Sequence, residues 1–349
     1  MNAVNVHLFG TAASGESIYR ICLHKGKISC EVITYGAALR SLVVPDRNGK
    51  PVDVVLGYDT LEQYVSETGY FGATVGRVAN RIARGTFSLH DRTYNLPINN
   101  GNNHLHGGVC GFSHKVWDIE AVTQHAVVLS TVSPDGDQGY PGTLKVVTEY
   151  RLQDDALLIR HEAVSDKDTL CSLTNHSYFN LSGHDSGSAM EQELQIFANA
   201  FTPSDEESIP FGVVESVEGT PMDFLRMKSM GMQINDAYQQ LEYAKGYDHN
   251  YVVEGSLGTL RKAAIAKSNV TGISMQVETT MPGVHFYTAN YVPEGRVGKG
   301  GCAYGPRHAF CLETQYYPDA IHHPNFPSPI LKEGEEYIQE TLFRFMTSQ

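Results

Sequence analysis

The chain has 349 residues, of which 41% are apolar and 19% charged, with 33 Gly and 15 Pro; this excludes a disordered polymer and describes a folded, turn-rich protein with room for a large core. A formal net charge of −13, with Lys and Arg scattered singly, excludes the basic stripe that nucleic acid or an anionic membrane would need, and it disfavours a phosphorylated ligand. The opening MNAVNVHLFGTAASGE lacks the basic-then-apolar pattern of a signal, no apolar run reaches the ~20 residues of a membrane span, and six cysteines without a CxxC pair read as reduced, buried thiols, so a cytoplasmic location is expected.

Residues 17–56 predict a meander, with strands at 17–24, 27–34, 38–44 and 51–56 set apart by turn signals such as Lys25-Gly26 and Asp46-Arg47-Asn48-Gly49. A short helix is predicted at 59–64 with Asp59 as its cap. The stretch 70–85, YFGATVGRVANRIARG, fits neither helix nor strand and carries no phosphate-binding fingerprint, and surface ion pairing is the default fate of Arg77, Arg81 and Arg84. NNGNNHLHGG at 99–108 must be a loop with several positive-φ positions. Its His104 and His106 raise the question of a metal, which the lack of another ligand at suitable spacing disfavours.

Strands are predicted at 116–122, 126–132, 143–152 and 156–163, leading into TLCSLTNHSYFNLSG at 169–183, which reads as one strand with two unlike faces. Cys171, Leu173, Phe179 and Leu181 fall on one face; Ser172, Thr174, His176, Tyr178 and Asn180 fall on the other. Taken alone, the polar face reads as the solvated side of an antiparallel sheet. Further strands are predicted at 193–198, 263–266, 274–280 and 284–291, with Asp248 and His249 at the start of another, and only 223–244 shows weak helical periodicity. In the block 308–329, Glu313 projects opposite Phe310 and Leu312 on a strand. A carboxylate there is unusual, because burying an unpaired Glu costs several kcal/mol. Many short strands without alternating long helices predict an all-β, largely antiparallel fold rather than a doubly wound one.

His176 and Glu313, with Arg81, His106 and Asp248 on separate segments, make up the acid, base and hydrogen-bonding groups of a neutral-ligand site if the fold brings them together. Six blocks in order, GRVANRI, NNGNNHLHGG, NHSYFNLSG, YDHNYVV, PGVHFYTAN and LETQYYPDAIHHPNFPSPIL, resemble the aldose 1-epimerase (galactose mutarotase) family, and the resemblance runs over essentially the whole chain. It implies a single domain over 1–349, a large antiparallel β-sandwich with few short helices and an open cleft across one sheet. It also implies that His176 is the general acid and Glu313 the general base, and that Asn80, Arg81, His106, Tyr178 and Asp248 line a sugar site. His285 stands where many members carry Gln, and Ala289 where they carry Gly, which leaves the sugar preference open. The implied reaction exchanges the α and β anomers of free aldohexoses such as glucose and galactose, with no cofactor or metal and no nucleic-acid or membrane partner. The alternatives are a hexose-6-phosphate 1-epimerase, a non-catalytic carbohydrate-binding protein on the same fold, and a metal-dependent lyase or isomerase using His104 and His106.

Overall fold

Longer strands form where apolar and polar residues alternate, and the computed structural model, which describes residues 5–66 and 68–347, gathers them into three main antiparallel sheets. Both ends of the 1–349 span, 1–4 and 348–349, lie outside the described residues. The first sheet is the expected meander: Ser17–Lys25, Ile28–Ile33, Ala38–Pro45 and Pro51–Asp53 follow in order, with Asn5–Thr11 added at the edge. The second runs Asp118–Val122, Ala126–Ser133, Leu144–Leu152, Ala156–Ser165, Glu336–Thr347, Ile273–Thr279, Arg261–Lys267, Glu193–Ile196 and Lys228–Ser229. The third, which carries the site, runs Glu215–Ser216, Ala200–Thr202, Asp248–Val252, Gly283–Tyr287 and Cys311–Gln315. Val32 and Leu42 of the first sheet, Val146 and Val277 of the second, and Phe286 and Leu312 of the third share one core, so the nine-stranded sheet backs the other two as a sandwich.

Sequence patterning assigns no element to 330–349, yet the 12-residue strand Glu336–Thr347 lies there, in the middle of the nine-stranded sheet. Its buried face includes Tyr337, Gln339, Thr341, Phe343 and Phe345, and the two polar members blur the alternation. Those polar members have work to do. Gln339 Nε2 donates to Thr314 O (2.7 Å), and Thr341 Oγ1 lies 2.5 Å from Thr314 Oγ1, so the central strand grips the residue next to Glu313.

Several local expectations change. The first helix is Leu61–Val65 and its cap is Thr60, because Thr60 and Gln63 have the spacing of a capping box, whereas the Asp59 carboxylate is taken by Arg40 and the Gly300 N–H. Within 223–244 only Gln239–Ala244 is helical, ended by the left-handed Lys245. Cys30, Cys171 and Cys311 are buried, but Cys22 and Cys302 are half-buried and Cys110, on the loop past Gly107-Gly108, is exposed; all six are free thiols. Arg77 is not a surface ion-pairing residue: it is 2% exposed and donates to Pro141 O (2.7 Å), Ser133 O (2.9 Å) and Ser133 Oγ (2.7 Å). No helix among the described residues is long and apolar enough to cross a membrane.

One buried polar pair in the large sheet sets an acid limit on stability. His161 is 1% exposed, sits opposite Thr148 in the register, and holds Nδ1 2.8 Å from Thr148 Oγ1. Burial keeps the ring neutral and pushes its pKa down to about 3. The unfolded ring titrates near 6.5, so this contribution to stability is complete above about pH 6.5 and is lost progressively as pH falls toward the folded value. By about pH 5 one such group costs on the order of 2 kcal/mol. Urea unfolding of wild type and His161→Gln at about pH 7 and about pH 5 is expected to show the variant losing less stability on acidification by that amount. Identical losses would contradict the neutral buried ring.

Candidate active site

The expected single strand over 169–183 is instead a chain of short pairings, because it threads between sheets rather than belonging to one. Thr169–Leu170 pairs with Ile330–Leu331, Thr174–Asn175 with Thr74–Val75, and Phe179 bridges both Val55 and Phe310. The two-faced alternation persists. Leu173, Phe179 and Leu181 enter the main core, while His176 and Tyr178 line an open cleft of about 440 Å³. His176 is held through its main chain, its N–H donating to Ala73 O (2.9 Å) and its carbonyl accepting from Gly72 N (2.9 Å). Its ring stacks on Tyr178 with centroids 5.0 Å apart. On the reverse face Asn175 Nδ2 donates to Gly72 O (2.7 Å), which fixes the same turn from behind.

Three neighbouring strands of the site sheet supply the acidic floor. Asn250, His285 and Glu313 are consecutive partners across the register, and side chains on one face of adjacent strands stand side by side. Glu313 is 2% exposed; its Oε1 lies 3.6 Å from His176 Nε2, and its Oε2 is buried without a partner. His285 also lines the cleft, but its Nε2 is committed to Asp248 Oδ1 at 2.7 Å and its Nδ1 is buried without a partner. The imidazole in place of the usual Gln is therefore tied to Asp248.

The irregular stretch 77–82 and the Asn/Gly-rich loop form the opposite wall. Asn80 N donates to His106 Nδ1 (3.1 Å), His106 N donates to Asn80 O (3.0 Å), and Arg81–Ile82 pairs with His104–Leu105. Close approach here requires Gly107, where an added Cβ would meet Gly76 O at 1.9 Å. Because His106 Nδ1 accepts a main-chain N–H, the neutral ring carries its proton on Nε2 and offers the cleft a donor. His106, His176 and Glu313 hold ligand atoms within 4.8 Å of one another, a separation a cation could bridge. A cation on His106 Nε2 would require loss of that proton to leave an imidazolate, so the donor set suits a hydroxyl better than a metal. His104 takes no part: its two nitrogens meet Pro97 O and Tyr140 OH, both at 2.8 Å, in a buried structural network.

All eight residues singled out from the sequence, Asn80, Arg81, His106, His176, Tyr178, Asp248, His285 and Glu313, line the one cleft. Sequence reasoning missed Tyr70, Tyr287, Glu206 and Glu207. Tyr287 is two residues from His285 on the same strand, so alternation alone would have found it. Tyr70, with left-handed backbone (φ 60°), reaches the cleft only through the fold, with its ring 4.8 Å from that of His106. The acidic loop is drawn to the rim because Glu207 accepts from Asn102 Nδ2 at 2.6 Å.

Two carboxyls share this space and are pushed apart. Burial raises Glu313 well above the ordinary carboxylate range, Asp248 adds to the rise, and Arg81 opposes it. Burial acts the same way on Asp248, but the hydrogen bond and charge of His285 outweigh it and hold Asp248 down at about 2. His176 is lowered to about 4, chiefly by burial. Asp248 is thus a fixed anion, whereas Glu313 is poised to exchange a proton, the divergence expected of groups with different duties in one site.

Comparison with known proteins places the chain in a family. A family model described as aldose 1-epimerase matches residues 19–344. The chain is 42% identical to galactose mutarotase of Bos taurus over 346 residues, covering 99% of each chain, and 34% identical to aldose 1-epimerase of Escherichia coli (strain K12), covering 90% and 91%. Among solved structures, a GalM/aldose epimerase homologue from C. elegans superposes with a TM-score of 0.87 at 30% identity over 95% of this chain and 99% of that one. Galactose 1-epimerase from Lactobacillus acidophilus NCFM does so with a TM-score of 0.87 at 27% identity, covering 99% of both. With a cleft in which a poised carboxyl faces a buried imidazole, and with this likeness over nearly its full length, the chain belongs to the aldose 1-epimerase family.

Proposed function

We propose that the cleft interconverts the α and β anomers of free aldohexoses, glucose and galactose among them, with His176 as general acid and Glu313 as general base. The observation that carries this reading is the buried pair itself, 3.6 Å apart, with one Glu313 oxygen free. The pair shares one transferable proton. As Glu313 takes the proton of the C1 hydroxyl, His176 Nε2 delivers one to the ring oxygen, and the bond from C1 to that oxygen breaks. The open-chain aldehyde turns about C1–C2, and the ring recloses as both protons return. Ring opening thereby converts imidazolium and carboxylate into imidazole and carboxylic acid, the form that burial favours for both groups. Arg81, the Nε2–H of His106 and the free amide N–H₂ of Asn80, whose Oδ1 is taken by Arg81 N (2.8 Å), act as donors to sugar oxygens. Asp248, oriented by His285, accepts from hydroxyls, and Tyr178 offers a ring face.

The alternatives fare less well. A binding module needs no coupled acid and base on the cleft floor. For a hexose 6-phosphate the lining is wrong: Arg81 is its one Lys or Arg side chain among the described residues, set against Glu206, Glu207, Asp248 and Glu313. The chain is further read as one domain over 1–349 acting in a reducing compartment such as the cytoplasm, supported by the core shared among the three sheets and by six free thiols.

Polarimetry on freshly dissolved α-D-glucose or α-D-galactose is expected to show Glu313→Gln and His176→Asn each slowing kcat by roughly 10² to 10⁴, with unchanged circular dichroism. The double variant is expected to lose far less than the product of the two, since the groups act as a unit. Near wild-type rates in either single variant would refute the pair. Glucose 6-phosphate is expected to be turned over at least about tenfold less efficiently than glucose, because its phosphate meets more like charge than unlike; equal efficiency would restore the sugar-phosphate alternative. Dialysis against a chelator is expected to leave the rate unchanged, whereas loss restored by a divalent cation would make ligands of His106, His176 and Glu313.

A further inference from the structure

The block that follows Glu313 turns back beneath the opposite wall of the cleft. Asp319, six residues beyond Glu313, is 4% exposed and adopts left-handed backbone (φ 55°, ψ 20°), a conformation that a short polar side chain tolerates when its surroundings hold it. Its main-chain N–H donates to the carbonyl of Arg81 (2.9 Å), and its Oδ1 accepts from the N–H of Ala83 (2.9 Å). Asp319 thus clasps the main chain on either side of Ile82, immediately after Arg81, while the Arg81 N–H is fixed by Asn80 Oδ1 (2.8 Å) and its Nε by Asn100 Oδ1 (3.1 Å). The carboxylate of Asp319 is itself held: His322 Nδ1 lies 2.6 Å from Oδ1, and His323 Nε2 lies 3.4 Å from Oδ2.

We infer that Asp319 is a positioning residue for the reaction: it ties the strand carrying Glu313 to the segment carrying Arg81, and so fixes the guanidinium relative to the carboxyl it must influence. This rests on the anomerisation reading of the cleft. Three independent features support it. Asp319 bonds the Arg81 carbonyl and the Ala83 N–H, the main-chain groups flanking Ile82, but does not line the cleft. Its carboxylate is buried under two imidazoles, and the bond to Asp319 holds the pKa of His322 above the ordinary value, so the clasp favours the charged form of that ring. Finally, Arg81 is the cation that opposes the upward shift of Glu313, whose other charged or titratable neighbours are His106, His176, His285, Asp248 and Cys311.

A displaced Arg81 would leave Glu313 easier to protonate, so the assignment is read from the acid limb of the pH profile rather than from activity alone. In Asp319→Ala, kcat/KM for α-D-glucose is expected to fall roughly 10- to 100-fold. The acid limb is expected to move up by about one pH unit, as in Arg81→Gln, because the same charge is withdrawn from the same carboxyl. The double variant Arg81→Gln/Asp319→Ala is expected to be no worse than Arg81→Gln. Asp319→Asn tolerates the same backbone and still accepts from Ala83 but cannot pair with a charged His322; it is expected to fall between, and it replaces Asp319→Ala if that variant does not fold by thermal denaturation. A wild-type profile in the Asp319 variants beside an impaired Arg81→Gln would overturn the positioning role alone, as would losses that multiply in the double variant. Absence of mutarotation in the wild-type protein would overturn the reading of the cleft and the positioning role together.

Discussion

Residues 172–181 form a seam whose main-chain hydrogen bonds reach both the N-terminal meander and the site sheet. Phe179 exchanges backbone bonds with Phe310 (2.7 and 2.9 Å), while Tyr178 O and Asn180 N bond to Leu56 N and Val54 O (2.9 and 2.8 Å). A backbone paired on both sides cannot slide or turn without breaking several buried bonds at once, and each lost partner would leave an unsatisfied buried group. His176 owes its place to this: its ring faces Glu313, which belongs to a different sheet, only because the seam makes the two sheets one surface.

The same logic of satisfied burial extends outward from the cleft. Arg77 buries its guanidinium against carbonyls and hydroxyls of 133–141 and 169, anchoring the start of the segment that carries Asn80 and Arg81. Lys299 donates to Asp53 (2.6 Å), Val55 O (2.8 Å) and Arg40 O (3.0 Å), locking the meander edge beside the seam. Both cations have their hydrogen-bonding capacity largely met. Of the buried polar atoms without a partner among the described residues, Glu313 Oε2 and His285 Nδ1 are the two whose residues line the cleft.

Burial also creates the division of labour between the two carboxyls. Asp248 and Glu313 are both removed from water, but only Asp248 has an imidazole bonded to it, and that contact holds its carboxyl low while burial pushes that of Glu313 up. His285 thus bears first on the charge of Asp248.

By itself the sequence determined what depends on short-range periodicity and on residue chemistry. Alternation marked the meander, seven strands of the large sheet and the two-faced character of 169–183, and the oddity of a carboxylate opposite Phe310 and Leu312 marked Glu313. The ordered blocks that resemble the family brought in Asn80 and His285, which no local pattern singles out. Tertiary structure decided the rest, because it depends on contacts between residues far apart in the chain. The seam shows as one strand in sequence since pairing partners leave no trace in a single segment. The central strand Glu336–Thr347 is masked because Gln339 and Thr341 face inward to bond Thr314. Arg77 and Arg81 are alike in sequence, yet one is buried among carbonyls and the other lines the cleft. His104 and His106 are likewise two residues apart on one loop, and their fates differ because Tyr140 lies behind one and open space before the other: a side chain's role follows from what surrounds it, which only the folded chain supplies.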